Sequence, residues 1–404
     1  MHLRCIAEQC AATFELHDRV LSCPQCGELL EVVIGKIEQG PSDLKKLWLR
    51  RRTSYKPQDA SGVWRFREFL PRYDEVVTLA EGNTPLVRAR KSAAWAGMRN
   101  IRFKHLGWNP TGSFKDLGMT TGMTEAKFVA AKAVGCASTG NTSASLAAYA
   151  ARAGLVAKVY LPVGKASANK MAQAIDFGAE IVHVEGNFDR ALEQLLESSD
   201  GDLYFLNSIN PFRLEGQKTA MFEMLEQLEW RIPDYVVVPG GNLGNSSAFG
   251  KAFEELLAAG AIERAPKLVV VQAAGSSPFS KMWKSGVEEL VAEEHPETVA
   301  TAIRIGNPRS WKKSLRGVKR TGGFVMDVTD EEIRDAKAMI GSDGVGCEPA
   351  SATTLAALRK LSASGQIDRD AEVVAVLTGH VLKDTDFIVK NSRVEEVALS
   401  EVSS

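Results

Sequence analysis

From about residue 80 onward, short Val-rich runs alternate with segments of helical spacing, and this alternation restricts the fold more than any other feature of the chain. The runs are CAST (136–139), KVYLP (158–162), EIVHV (180–184), DYVVVP (234–239), KLVVVQ (267–272) and EVVAVL (372–377). Between them, 187–198 and 246–259 carry apolar residues at helical intervals. A strand with one wet face alternates apolar and polar residues; a continuously apolar strand belongs to a mainly parallel sheet covered by helices on both sides. The expected fold class is therefore α/β, in which ligands sit where strands end and helices begin. There is no repeat period or low-complexity tract long enough to alter that expectation.

At 404 residues the chain has length for two or three domains. Lys plus Arg total 49 against 50 for Asp plus Glu, a formal charge of -1, so no global excess favours nucleic acid or an anionic membrane. The expected partner is a small molecule, and a homodimer is compatible with the chain. The opening MHLRCIAEQC lacks the long apolar run of a signal peptide, and no apolar stretch approaches the ~18 residues of a membrane span. A cytoplasmic protein is expected.

Of six cysteines, Cys5, Cys10, Cys23 and Cys26 fall within the first thirty positions. In a reducing compartment two cysteine pairs separated by a spacer suggest a tetrahedral thiolate zinc site rather than disulfides. Cys23-Pro24-Gln25-Cys26-Gly27 reads as a metal knuckle, whereas Cys5 and Cys10 are spaced more loosely. Structural Zn2+ in a zinc-ribbon-like module and a degenerate ribbon of free thiols both stay open. Residues 45–56, with Lys45, Lys46, Arg50, Arg51, Arg52 and Lys56, read as a solvated connector, and 64–73 as a short amphipathic helix.

Four segments carry chemistry. Asn109-Pro110-Thr111-Gly112-Ser113-Phe114-Lys115-Asp116 follows an expected strand at 101–104, and helical spacing resumes through Met119 and Met123. Lys115 at such a junction is either a surface charge or an amine on a stiff frame, with Thr111, Ser113 and Asp116 as partners for a group that must lose its proton to form a Schiff base. Ser138-Thr139-Gly140-Asn141-Thr142-Ser143-Ala144-Ser145 opens an Ala-rich helix. Its polar groups exceed what a cap needs: Thr142 and Ser143 suit a carboxylate, and Asn141 a cofactor's ring oxygen. Pro239-Gly240-Gly241-Asn242-Leu243-Gly244-Asn245 lies between a strand and a helix, where exposed backbone N–H groups and the helix dipole would cradle a phosphate. It has neither the GK[ST] of a nucleotide P-loop nor GxGxxG spacing. Finally, Leu377-Thr378-Gly379-His380 ends an apolar strand, with Thr378 either capping the next helix or facing a ligand.

In order, Glu81-Gly82-Asn83-Thr84-Pro85-Leu86, NPTGSFKD, STGNTSAS, PGGNLGN and LTGH resemble the threonine synthase family, within the pyridoxal-phosphate fold of tryptophan synthase β, cysteine synthase and the serine and threonine dehydratases. The resemblance spans about residues 78–390. It implies two three-layer open-sheet domains of fold type II: a large cofactor-binding domain of 78–125 and 216–404, and a smaller inserted domain of 126–215. These would follow the ribbon module of 1–40 and a connector or helical arm of 41–77. It also implies that Lys115 carries pyridoxal 5'-phosphate, that Asn141 contacts the ring hydroxyl, that Gly241, Asn242, Leu243, Gly244 and Asn245 bind the cofactor phosphate, and that Thr378 faces the pyridine nitrogen. The related dehydratases and cysteine synthases usually have Ser or Cys at this last position.

The segment Asn207-Ser208-Ile209-Asn210-Pro211-Phe212-Arg213 is similar to the part of threonine synthases that faces the substrate phosphate. A guanidinium with amide and hydroxyl neighbours suits a dianion, although a capped helix start with a solvated Arg213 is the simpler reading. The implied reaction is O-phospho-L-homoserine plus water to L-threonine plus phosphate, a carbon–oxygen lyase activity in threonine biosynthesis. A β-replacing or eliminating relative such as a cysteate synthase or a threonine or serine dehydratase stays open, as does an inactive zinc-binding regulatory homologue. Val381, where the family commonly has glycine, and the extra glycine of Gly240-Gly241 leave substrate choice less settled than cofactor choice.

Overall fold

The structure, a computed structural model, describes residues 1–138, 140–163, 168–185 and 202–391. Thr139 and the expected helix at 187–198 lie outside the described residues. Three sheets organise the chain. The first is antiparallel and small: β1 (His2–Cys5), β2 (Thr13–Phe14) and β3 (Leu30–Val33), in the order β2-β1-β3. The second has six strands: β4 (Leu86–Arg88) and β5 (Asn100–His105), then, after the third sheet, β10 (Tyr235–Pro239), β11 (Lys267–Ala273), β12 (Phe324–Val328) and β13 (Glu372–Leu377). Their order is β12-β11-β10-β13-β5-β4, parallel throughout except for the β4–β5 edge. The third, fully parallel, is β6 (Ala133–Ala137), β7 (Val156–Pro162), β8 (Glu180–Val184) and β9 (Leu203–Phe205), ordered β8-β7-β6-β9.

The six-stranded sheet accounts for the Val-rich runs. Val236, Val238, Val270, Val374 and Val376 point into one apolar cluster, while Val237, Val269, Val271, Val373 and Ala375 point into the other. Alternate residues project to opposite faces of a strand, and both faces here are covered, so both sets must be apolar. The runs at 180–184 and 372–377 coincide with β8 and β13; the CAST run ends as strand at Ala137. No helix among the described residues is long and apolar enough to cross a membrane.

Two expectations are corrected. The basic stretch is solvated on one face only: Lys46, Arg50, Arg52 and Lys56 are exposed, but helix Pro41–Arg51 buries Leu44, Trp48 and Arg51. Trp48 packs among Phe66, Phe69, Phe222 and Trp230, and Arg51 pairs with Glu68 at 2.5 Å. Its charges mask this because lysine and arginine stems cover apolar surface while their heads stay wet. Likewise, Trp64–Phe69 is a 3-10 helix with Trp64, Arg65, Phe66 and Phe69 all buried, not an amphipathic α-helix. Arg65 is neutralised there by Glu226 at 2.5 Å, so a charge in the sequence misreads as a wet face.

Glycine sets the spacing of the two helices that frame the site. Helix Lys115–Phe128 runs against helix Pro211–Gln227 so closely that a Cβ on Gly216 would lie 1.7 Å from the Leu117 carbonyl oxygen. A Cβ on Gly118 would lie 2.6 Å from the Arg213 carbonyl. Only bare backbone permits that approach.

Candidate active site

The carboxyl ends of β5, β10 and β13 share one edge of the parallel sheet, and the loops that follow them hold three of the four sequence constellations. The fourth follows β6. All converge on one cavity of about 1320 Å³, lined among others by Lys115, Asn141, Thr142, Asn207, Ser208, Arg213, Gly241, Asn242, Leu243, Gly244, Asn245 and Thr378. Residues separated by more than two hundred positions thus meet where strands end, as in other open α/β sheets.

Lys115 begins its helix behind a loop that is pinned on both sides. Phe114 N–H donates to the Thr378 carbonyl at 2.9 Å, and His380 N–H donates to the Gly112 carbonyl at 2.9 Å, so the lysine and threonine loops hold each other. Asp116 is wholly buried and accepts from the Thr111 amide at 2.7 Å, the Thr111 hydroxyl at 2.6 Å and the Ser145 hydroxyl at 2.5 Å. Burial nevertheless pushes its carboxyl up to about 6. The Lys115 ammonium is pushed down to about 7, first by burial and then by the Arg213 cation, with Glu348 opposing. A lysine so placed has a large neutral, nucleophilic fraction near neutrality, where an ordinary lysine has almost none.

The glycine loop lines the cavity and leads directly into a helix start, a setting that can hold an anion. Leu243 takes the left-handed conformation (φ 63°) and caps helix Gly244–Ala258. The Gly244 and Asn245 amides at its start have no carbonyl acceptor one turn back, whereas the Ser246 amide donates to the Asn245 side-chain oxygen at 2.8 Å. Asn242 is anchored outward, its side-chain oxygen accepting from the Arg309 amide at 3.1 Å, and Asn245 donates back to the Pro239 carbonyl at 2.9 Å. The extra glycine has a packing reason: a Cβ on Gly240 would come within 2.7 Å of Val270 Cγ1.

Arg213 is 1 % exposed. Its Nη1 donates to the Leu206 carbonyl at 3.1 Å, but Nε and Nη2 have no hydrogen-bond partner. Burial pushes its guanidinium down to about 10. A desolvated cation with unsatisfied donors on a cavity wall is costly unless an anion completes it. The solvated-arginine reading is excluded by this burial, and capping of the helix falls instead to Asn210, which accepts from Phe212 N–H at 3.0 Å and Arg213 N–H at 3.4 Å. Asn207 accepts from the Ala137 amide at 3.3 Å, which turns that segment toward β6. Thr142 faces the cavity, but the buried Ser143 hydroxyl donates to the Gly140 carbonyl at 2.8 Å and does not reach the cavity wall.

Sequence reasoning missed Glu348. This buried carboxylate accepts from Asn141 Nδ2 at 3.0 Å and Thr378 Oγ1 at 3.0 Å, joining the two residues expected around a cofactor ring. Burial raises its carboxyl, against the pull of Asn141, Thr378, Lys383 and Lys115. Ser351, one turn along the same helix, accepts from the Thr378 amide at 2.8 Å. The one available signal was Glu348 ahead of Pro349: proline marks the helix start, and glutamate is not a favoured cap. A neutral buried amine, a glycine cradle and uncharged polar side chains around one cavity fit pyridoxal phosphate, which needs an imine-forming lysine, a phosphate cup and a ring partner.

At the far end of the chain, the ligand atoms of Cys5, Cys10, Cys23 and Cys26 all lie within 4.8 Å of one another. Cys5 and Cys26 sulfurs are 3.4 Å apart, and Cys10 and Cys23 sulfurs 3.7 Å. A zinc tetrahedron with Zn–S of about 2.3 Å has sulfur–sulfur edges of about 3.8 Å, so the four thiols fit such an ion.

Comparison with known proteins agrees with this chemistry. Residues 77–379 match the family model described as "Pyridoxal-phosphate dependent enzyme". The threonine synthase of Methanocaldococcus jannaschii is 45% identical over 393 residues, covering 96% of this chain and 94% of that one. That of Methanosarcina acetivorans is 44% identical over 390 residues, covering 96% and 93%. Among solved structures, threonine deaminase isoform 2 from Solanum lycopersicum superposes with a TM-score of 0.67 at 22% identity, covering 89% of this chain and 96% of that one, a likeness of fold alone. With that fold, a cavity whose lining fits the cofactor, and relatives matched along nearly their whole length, the chain belongs to the threonine synthase family of pyridoxal-phosphate-dependent enzymes.

Proposed function

We propose that this chain converts O-phospho-L-homoserine and water to L-threonine and phosphate, and that Arg213 binds the phosphate being lost. The observation carrying this reading is the buried guanidinium with two unpartnered nitrogens in the cavity that also holds Lys115. A substrate with no second anion would leave that charge uncompensated.

The backbone N–H groups of Gly241 to Asn245 would hold the cofactor phosphate, with Asn141 and Thr378 toward its ring. When bound, pyridoxal phosphate supplies an electron sink that makes the α-proton of an amino acid removable. Lys115, whose amine loses its proton readily near pH 7, takes that proton at Nζ and returns it at a neighbouring carbon. Thr378 is uncharged, so it can hydrogen-bond a ring nitrogen without forcing protonation there. Arg213, with Asn207 and Ser208 beside it, stabilises the charge that grows on the departing γ-phosphate, and a guanidinium does this through paired parallel hydrogen bonds. Water then adds at the β-carbon. Thr142 is the side chain at the helix start best placed for the substrate carboxylate.

We further propose that 78–125 with 216–404, and 126–215, act as the two lobes around the cavity. The support is that the six-stranded sheet takes all its strands from the first set and the four-stranded sheet from the second. Cys5, Cys10, Cys23 and Cys26 would hold a structural zinc.

The deciding experiment measures phosphate release and amino-acid product with phosphohomoserine, phosphoserine and threonine. Threonine and phosphate formed in equal amounts from phosphohomoserine is the expected result. Preferential turnover of phosphoserine, or ammonia release from threonine with no use of phosphohomoserine, would replace this reading with a β-replacing enzyme or a dehydratase respectively.

A further inference from the structure

The N-terminal ribbon does not stand apart from the active site. Its apolar core consists of Leu3, Cys5, Cys23, Leu30 and Val32, and the cluster is completed by Phe212 from helix Pro211–Gln227. Phe212 is 2 % exposed, and the next residue is Arg213. Consecutive helical side chains diverge by about 100°. Phe212 therefore enters the ribbon while Arg213 enters the cavity. One asparagine, Asn210, accepts from the amides of both, and Thr121 Oγ1 donates to the Phe212 carbonyl at 2.8 Å, tying this turn to the Lys115 helix. β3 is seated on the body by two lysines: the buried Lys313 donates to the Leu30 carbonyl at 3.2 Å and the half-buried Lys251 to the Val32 carbonyl.

A three-stranded module with so few apolar residues cannot hold a core by burial alone and needs a staple. The four sulfurs converging within 4.8 Å can supply one by coordinating zinc, whose binding free energy becomes folding free energy of the module. We infer that zinc held by Cys5, Cys10, Cys23 and Cys26 keeps the ribbon closed over Phe212, and so positions Arg213 for the phosphate-bearing substrate. This rests on the reading of Arg213 as the phosphate ligand. Without the metal, Phe212 loses its cover and the first turn of its helix loosens. Arg213 then shifts in the cavity, while the glycine loop and Lys115, held by other elements, stay in place. Phe212 is thus a positioning residue, acting through Arg213 on the substrate's phosphate and not on the cofactor.

The test uses the full-length holoenzyme. Metal analysis should find about one zinc per chain. Chelator-stripped protein, or Cys26→Ser at the exposed ligand, should bind inorganic phosphate on the order of tenfold more weakly by titration calorimetry and show a matching rise in KM for phosphohomoserine, as misplacement of a binding group predicts. The visible absorbance of the bound cofactor should hold, because the cofactor does not depend on Arg213, whereas kcat/KM should fall by at least the loss in phosphate affinity, since Arg213 also acts on the departing phosphate. Zinc addition should restore the stripped protein. Phe212→Ala should raise KM similarly with zinc retained, and Phe212→Leu should recover most of the loss. If metal loss unfolds the chain, the Phe212 pair still decides the matter. Unchanged phosphate affinity in both zinc-free protein and Phe212→Ala would overturn the coupling while leaving the Arg213 reading intact. Undiminished phosphate binding by Arg213→Ala would overturn both.

Discussion

Two buried cations line the cavity, and one of them, Arg213, lowers the proton affinity of the other, Lys115. Lys115 is held to about 7 by burial and by Arg213, so the apoenzyme's rate of covalent capture of pyridoxal phosphate should rise with pH through a midpoint near 7 instead of 10.5. Borohydride trapping at a series of pH values measures it. The linkage has the same sign: between about 7 and 10.5 the unfolded chain binds the extra proton, so apoenzyme stability from this group rises with pH across that window. Lys115→Ala should lose both the trapped adduct and turnover. Arg213→Ala should move the Lys115 midpoint upward and cut kcat/KM for phosphohomoserine on the order of 30-fold to 1000-fold, equivalent to about 2 to 4 kcal/mol. The bound cofactor's spectrum should not change, and Arg213→Lys should restore only part of the loss, because an ammonium lacks the planar fork.

The pairing of helix Lys115–Phe128 with helix Pro211–Gln227 fixes the relation between those cations. Gly216→Ala would place a methyl carbon 1.7 Å from the Leu117 carbonyl oxygen, so the helices must part. We expect a loss of about 2 to 3 kcal/mol in urea unfolding and a larger drop in kcat/KM than that destabilisation explains, since the lysine and arginine separate with their helices. An unchanged unfolding midpoint would show that the interface yields elsewhere. Gly154→Ala is a suitable contrast: its Cβ would meet nothing within 4 Å, and its cost comes only from the left-handed φ of 72° at the end of its helix.

For the whole molecule, the junction between ribbon and body is electrostatic as well as apolar. Glu31 on β3 pairs with Arg4 at 2.7 Å and with Arg316; despite burial, Arg316 first, then Lys251 and Arg4, hold its carboxyl down to about 2. A depressed carboxyl stabilises fully above its unfolded value near 4.5, and that contribution is lost as pH falls toward 2. Limited proteolysis should therefore release the ribbon progressively between those values, and Glu31→Gln should loosen it at neutral pH by about 1 kcal/mol, since Arg316 keeps Glu254, Lys251 keeps Glu215 and Arg4 turns to solvent. Much of the molecule was legible beforehand, because strand burial on two faces writes continuous valine into the sequence and because a cofactor loop needs its lysine, glycines and hydroxyls in one local order. Contiguous residues thus marked the segments that meet at the cavity, the lysine junction and the glycine loop, and the cysteine pairs whose sulfurs converge. Tertiary structure alone decided what lies between distant segments. It buried Arg51 and Arg65 against carboxylates, brought Glu348 between Asn141 and Thr378, and turned Ser143 back onto Gly140. It also slid Phe212 under the ribbon. A side chain's solvation and its partners are set by which surfaces meet, and no local periodicity records that meeting.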